Sequence, residues 1–403
     1  MTKSSLALSN LRAVVIVIVL AFHSALAYLA SAPAQQSGFE QPPYSWQAFP
    51  IVDGHRWIGF DVFCAWQDVS LMALMFFLSG LLTAGSLNRK GSRAYCSGRL
   101  TRIGIPFALV VLFLSPLSFY PAYLARTAEP SVLNYWHEWL ALPFWPAGPE
   151  WFLWQLLVLN LLAGAVYAIW PACIDWFARF AAEAARKPLK YGAWFAAASV
   201  LAYAPLALGF TPWRWAAAGP FSLQLCRPLL YLVYFFGGVA LGSYGIDRGL
   251  LSVDGPLVRN WRAVTAAAVT MFLVWAAFTS LTRPDWNAAP LAFRIIASLT
   301  FPLACASGGL FLIASCLRFT CSVRLATLDS LSGNAYGMYL IHYAFVVWLQ
   351  YLLLPTGLNA ATKFAIVLAG ALSLSWSTSV VFARALAATQ VFAVRRTVAS
   401  APR

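Results

Sequence analysis

The chain has 403 residues, of which 61% are hydrophobic and 10% charged, against roughly 25% charged in an ordinary soluble domain. That is too little polar surface to wrap a soluble core of this size, which excludes a water-exposed globular fold. The formal net charge of +14 would suit a nucleic-acid partner, but the cations sit in loops between apolar blocks, which is membrane topology, so no nucleic acid is expected.

Ten apolar blocks can be marked along the chain. Each is close to the length of about 20 residues that crosses a bilayer as a helix, and in lipid the backbone must satisfy its own hydrogen bonds. The first, Ala13–Ala32, is too long for a removable signal peptide and is expected to stay as a membrane helix. It carries Arg12 at its edge and His23 within it. Eleven steps of about 100° return to within about 20° of the same face, displaced by roughly 16 Å along the axis. An ionisable side chain inside a membrane is expensive, so His23 is a functional candidate. The plainer reading is an Arg that reaches back to the interface and a His bonded to a neighbouring helix.

A first outer loop, Ser31–Asp68, is rich in Pro and aromatic residues and holds Trp46, Trp57 and Trp66. The second block, Val69–Leu87, contains Phe76-Phe-Leu-Ser-Gly-Leu81, and its Ser79–Gly80 pair lets a helix or ligand approach closely. Arg99 and Arg102 precede the third block, Ile103–Ala125. Three apart on a helix they share a face, and two forked guanidinium groups suit a phosphate-rich ligand. For this cluster alone, ordinary topology or lipid headgroups would explain the charge. A second outer loop, Arg126–Glu150, leads to Pro149-Glu-Trp-Phe-Leu-Trp154 and the fourth block, Trp151–Trp170. Pro149 and Glu150 suit a helix start, while Trp151 is either a belt residue or faces a substrate. Phe177–Leu189 reads as a short amphipathic helix on the inner membrane surface.

The remaining blocks are Tyr191–Phe210, Leu229–Tyr244, Ala263–Leu281, Leu291–Leu317, Leu331–Leu354 and Phe364–Ala383, with a short cytoplasmic tail after about residue 384. In the ninth, Tyr336, Tyr339 and His342 recur every three residues. They either make interhelical hydrogen bonds or line a site, and His342 should lie at about the depth of His23. With the N-terminus inside, alternation through ten helices leaves most of the 27 Lys and Arg in cytoplasmic segments and most acids outside, Asp68 and Glu150 among them. This is the positive-inside pattern. The seven cysteines show no CxxC and no zinc spacing, and Cys64 and Cys96 are expected on opposite sides. No structural disulfide and no metal are expected. The fold class expected is an all-α integral membrane protein, a bundle of about ten transmembrane helices, N-in and C-in, in one domain over residues 1–403.

Taken in order, these motifs resemble the acyltransferase-3 family of integral membrane acyltransferases. The resemblance rests on Arg12-x10-His23, the Phe-Phe-Leu-Ser-Gly of the second helix, Arg99-x-x-Arg102, Trp151-Phe-Leu153 and Tyr339-Leu-Ile-His342. Each is short, but five in the right order on ten helices make a fairly specific match. More loosely, the second-helix and fourth-helix signatures resemble the branch that modifies periplasmic glucans and can move succinyl groups. The resemblance implies an acyl-CoA donor in the cytoplasm, acetyl-CoA foremost, and a carbohydrate or glycolipid acceptor outside a bacterial inner membrane. It also implies catalysis by His23, with Arg12, Arg99, Arg102 and Ser79 binding the donor. His342, Tyr339 and Trp151 would support the site. Glu150 or Asp68 would orient His23 or bind sugar hydroxyls, and Trp46, Trp57 and Trp66 would stack on sugar rings. The C-terminal hydrolase-like domain that some sugar O-acetyltransferases of the family carry is not expected.

The chemistry fits that implication. CoA carries several phosphates, and the three arginines are expected at one cytoplasmic level. Its long, thin, uncharged arm would then reach towards His23, whose imidazole, with an unperturbed pKa of about 6.5, suits removal of a hydroxyl proton. Two other readings compete. A transporter or channel would use His23 and His342 as a proton relay, against which stand few intramembrane acids and no inverted repeat. An inactive scaffold would fail to bind acyl-CoA.

Overall fold

The computed structural model describes the backbone of residues 2–399 and the side chains of residues 2–385. In chain order the elements are α1 (Lys3–Ala25), α2 (Ile58–Leu81), α3 (Thr83–Leu124), the short α4 (Val132–Ala141), α5 (Trp151–Ile169), α6 (Cys173–Arg186) and α7 (Pro188–Phe210). A hairpin of β1 (Trp215–Ala218) and β2 (Phe221–Gln224) follows, then α8 (Pro228–Tyr244), α9 (Trp261–Thr282), α10 (Leu291–Phe319), α11 (Ala326–Leu353) and α12 (Ala360–Ala399). Eight of these helices are long and apolar enough to cross a membrane. Of the other two expected spans, α8 is apolar but only 17 residues long, at the short limit for a crossing. Helix α11, at 28 residues, is long enough but carries a polar stripe. The chain is an all-α, multi-pass membrane bundle.

Helix boundaries move where polar residues find partners that a hydropathy pattern cannot see. Helix α1 begins well before Ala13, because Thr2 caps it, its hydroxyl accepting from the Ser5 N–H at 3.2 Å. Asn10 then donates to the carbonyls of Thr320 (3.0 Å) and Val323 (2.9 Å). Helix α2 begins at Ile58 rather than Val69, so Cys64, Trp66 and Asp68 belong to a helix and not to the outer loop. Two carboxylates make this tolerable. Asp61 accepts from the N–H groups of Ala30 (2.7 Å) and Ser31 (3.0 Å), and Asp68 is gripped by both terminal nitrogens of Arg227 at 2.7 and 2.6 Å. The amphipathic stretch appears as α6, with Ala181 and Ala184 buried and Arg179 and Arg186 outward. The β-hairpin was not expected. Its signal is the Gly219-Pro220 pair, with Gly219 at φ +56° in the turn.

Helices α2 and α8 cross almost backbone to backbone. A Cβ on Gly80 would lie 2.0 Å from the Phe235 carbonyl oxygen, and one on Gly238 2.1 Å from that of Phe77. The Ser79–Gly80 pair thus does what its size suggested: Gly80 admits α8 while Ser79 faces a cavity.

Ser9 meets Ser332 at 3.0 Å, Trp376 donates to Ser330 at 3.0 Å, and Ser379 bonds Asn334. The first turns of α1 and the stretch of α12 around Ser379 therefore share one end of the bundle, here the Arg12 end. Arg403 and the side chains of Arg395 and Arg396 lie outside the described residues. At the opposite end, Lys363 and Asp53 form a buried pair at 2.6 Å, under a cap of packed aromatic rings built around Phe39, Trp46, Tyr135 and Trp139.

Candidate active site

Helix α1 turns one stripe, Arg12, Ile16, Val19 and His23, towards α11. His23 Nδ1 lies 3.0 Å from the Val19 carbonyl oxygen and 3.2 Å from Nε2 of His342. His342 is fully buried, and its Nδ1 is 2.6 Å from the Tyr339 carbonyl oxygen. Gln350 donates to the carbonyls of His23 (2.9 Å) and Ser24 (3.2 Å), which fixes α1 against α11 at this level. The Tyr343 ring stands edge-on to His23, centroids 5.4 Å apart. Sequence spacing places the two histidines at similar depth; the fold puts them in direct contact.

Towards the Arg12 end of the bundle opens a cavity of about 210 Å³. Its walls are apolar side chains of α1, α2 and α5, Phe152 among them, and four polar residues reach it: Arg12, Ser79, Tyr336 and Tyr339. Arg12 is exposed there. Tyr339 donates its hydroxyl to the Pro149 carbonyl at 2.5 Å, tying α11 to the start of α5. His23 does not line the cavity. It sits one helical turn, about 6 Å, beyond Val19 at its edge. An apolar passage with a guanidinium at one end suits a ligand with an anionic head and a slender uncharged arm.

Arg99 and Arg102 are not brought to this cavity. Arg99 is half-buried with its guanidinium 4.9 Å from the centre of the Tyr95 ring, and Arg102 is exposed. A π turn over Leu100–Gly104 widens the helix here, so the spacing of a regular α-helix does not apply. The link to the cavity is through backbone, the Arg102 carbonyl accepting from the Tyr336 hydroxyl at 2.7 Å.

A family model described as an acyltransferase domain matches residues 5–380, nearly the whole chain. The chain belongs to the acyltransferase-3 family. No curated protein and no solved structure matches it. Family and fold together make the protein a multi-pass membrane acyltransferase.

A second cavity of this acyltransferase, about 240 Å³, lies towards the end opposite Arg12, among α1, α2, α7, α9 and α10. Asp61, Asp68, Arg227 and Arg283 give it charge, and Trp213 and Trp275 give it flat aromatic faces. Phe22 forms part of its wall, and the Phe22 ring centroid is 5.0 Å from that of His23. Asp68 therefore stands in this cavity, paired with Arg227, and not beside His23. Arg227 and Trp213 were not singled out from sequence. The signal was present for Arg227, a lone cation at the start of an apolar helix.

Three expectations about the outer residues need correction. Glu150 is not in an outer loop: the segment before α5 dips into the bundle, and Glu150 is 2% exposed. Among the described residues no cation lies within ion-pairing distance of it, and it makes no hydrogen bond to His23. Trp46 is 1% exposed, stacked on Phe39 at 4.4 Å and donating to the Phe39 carbonyl at 2.6 Å. It is part of the cap and has no face free for a sugar. Trp151 packs on Tyr231 of α8 and Trp215 of β1 and lines neither cavity. Trp57 is exposed, and Trp66 is half-buried against the core. All seven cysteines are free.

Proposed function

We propose that this acyltransferase takes an acyl group, acetyl or succinyl, from cytoplasmic acyl-CoA and gives it to a hydroxyl of a glycan or glycolipid outside a bacterial inner membrane. The observation that carries the reading is the apolar cavity that starts at Arg12 and stops one turn short of His23. Arg12 offers a forked cation to the phosphates of the donor, Ser79 leaves room for the arm, and the apolar walls suit its uncharged length. The positive-inside bias puts the Arg12 end in the cytoplasm. The charged, aromatic cavity beyond Phe22 favours a polyol acceptor, since carboxylates bond sugar hydroxyls and indole faces stack on sugar rings. Arg99 and Arg102 then act as a second cationic patch near the mouth.

In the transfer step His23 accepts the proton of the acceptor hydroxyl as its oxygen attacks the thioester carbon. The new C–O bond forms, the C–S bond breaks, and the departing thiolate takes that proton. A general base of this kind contributes about 10²–10⁴-fold. The test uses the purified protein in liposomes with labelled acetyl-CoA or succinyl-CoA and an envelope glycan extract, the products read by mass spectrometry. His23→Ala should lose at least 100-fold in rate while folding as the parent does. Arg12→Gln should raise KM for the donor about tenfold with kcat little changed, the loss of one charge-assisted contact made before the chemistry. Normal transfer by His23→Ala would remove the proposed base.

A further inference from the structure

His342 is the one fully buried histidine, and acid–base work by His23 does not by itself require it. Its surroundings fix where the protons sit. The Tyr339 carbonyl oxygen, 2.6 Å from His342 Nδ1, can only accept, so Nδ1 of His342 carries the hydrogen. A neutral His342 then presents a bare Nε2. That atom faces Nδ1 of His23 at 3.2 Å. The Val19 carbonyl, 3.0 Å from the same Nδ1 of His23, independently requires a hydrogen there. Two backbone carbonyls on two helices thus specify the same pattern, in which the His23 N–H is shared between Val19 and His342. Nε2 of His23 is left bare, with no protein partner among the described residues, and it is not among the fully enclosed unpartnered atoms.

We infer that His342 is a positioning residue that holds His23 in its Nδ1–H tautomer, so that Nε2 is the atom that takes the acceptor's proton. This rests on the acyl-transfer reading and sharpens it. When Nε2 gains the proton, positive charge spreads over the His23 ring, and Nδ1–H becomes a stronger donor to the Nε2 lone pair of His342. The orienting group is a neutral imidazole where a carboxylate is the commoner choice. That suits a site in lipid, where a lone buried charge is costly. Gln350, bonded to the His23 carbonyl, holds the two helices at the spacing this contact needs.

The experiment has two arms on the full chain in lipid. In the first, ring-¹⁵N-labelled histidine is read by NMR. With four histidines in the chain, His23→Gln and His342→Gln assign the signals. Both His23 and His342 should show a protonated Nδ1 and a bare Nε2. In the second, thiol release from acetyl-CoA and from succinyl-CoA is measured with a glycan extract as acceptor. His342→Leu should lower kcat about 10- to 100-fold, the size of one lost hydrogen bond to a charged group, with KM for the donor within twofold. His342→Gln, whose amide oxygen can accept from His23 Nδ1–H, should recover most of the loss. A His23 protonated on Nε2 overturns the inference. So does a Leu variant within twofold of the parent, or a Gln variant as slow as Leu. If the parent transfers nothing, the acyl-transfer reading falls, and the NMR arm still decides the tautomer.

Discussion

Replacing Gly80 by Ala puts the α2–α8 crossing to a direct test. The added Cβ would sit 2.0 Å from the Phe235 carbonyl oxygen, whereas ordinary contacts begin at 3.4 Å. The obstacle is backbone, so no side chain can swing aside, and the helices must part by more than 1 Å. Parting them also loosens Gly238 against Phe77 and Gly242 against Leu81, each of which depends on the same close approach. Overpacking of this kind costs about 1–3 kcal/mol. Ala regains about 1 kcal/mol of helix propensity over Gly, so the opposing terms leave a net loss of up to about 2 kcal/mol. Gly98 in α3 is the control, since a Cβ there meets nothing within 4 Å. Gly98→Ala should be neutral or stabilise by up to about 1 kcal/mol. The assay is thermal unfolding in detergent, followed by labelling of the free cysteines, most of which are buried. Gly80→Ala should melt below the parent and Gly98→Ala at or above it. Equal melting of all three, or a loss at Gly98 matching that at Gly80, would refute the backbone-contact argument.

Two further predictions concern the end opposite Arg12. Lys363→Met leaves Asp53 buried without its cation and should cost about 3–5 kcal/mol, while the double replacement Lys363→Met with Asp53→Leu should recover much of that; a double variant no better than the single one counts against the pair, as read by melting in the same cysteine-labelling assay. Burial, and then the neighbouring Glu40 carboxyl, push Glu138 up to about 7. A raised carboxyl favours the folded state most when protonated, so this site's contribution is full below about pH 4.5 and is lost as pH climbs through about 7. Glu138→Gln should therefore flatten the decline in melting temperature between pH 5 and pH 8, and an unchanged slope in that variant would dispose of the assignment.

The bundle was legible because a bilayer crossing demands an apolar run of about 20 residues, and each of the ten runs marked in the sequence overlaps a helix, eight of them long and apolar enough to cross a membrane. What hydropathy misread was charge that the fold neutralises. Asp61 and Asp68 look like loop residues until one caps a chain reversal and the other meets Arg227, more than 150 positions away. Arg12-x10-His23 was legible because both residues sit on one helix, where periodicity fixes their relation. His342 was legible as a depth but not as a contact, because no periodicity relates two helices at opposite ends of the chain. The misplacement of Glu150 has a similar origin. Pro149-Glu150 does start a helix, as read, but sequence says nothing about how deep that start lies. Tyr339 sets the depth by bonding the Pro149 carbonyl from across the site.

That bond also explains why the late Tyr-Leu-Ile-His segment carries more than one polar residue. Tyr339 does two things at once: its hydroxyl holds the start of α5 beside the cavity, and its carbonyl orients His342 three residues on. Tyr339→Phe removes the hydroxyl bond but leaves the backbone carbonyl that orients His342, so it should act on the passage and on donor KM, with the imidazole pair and kcat largely kept. Changes at Arg12 and at His342 likewise each touch one of the two. The cavity and the histidine pair are in this sense two halves of one site, joined by a single residue of α11.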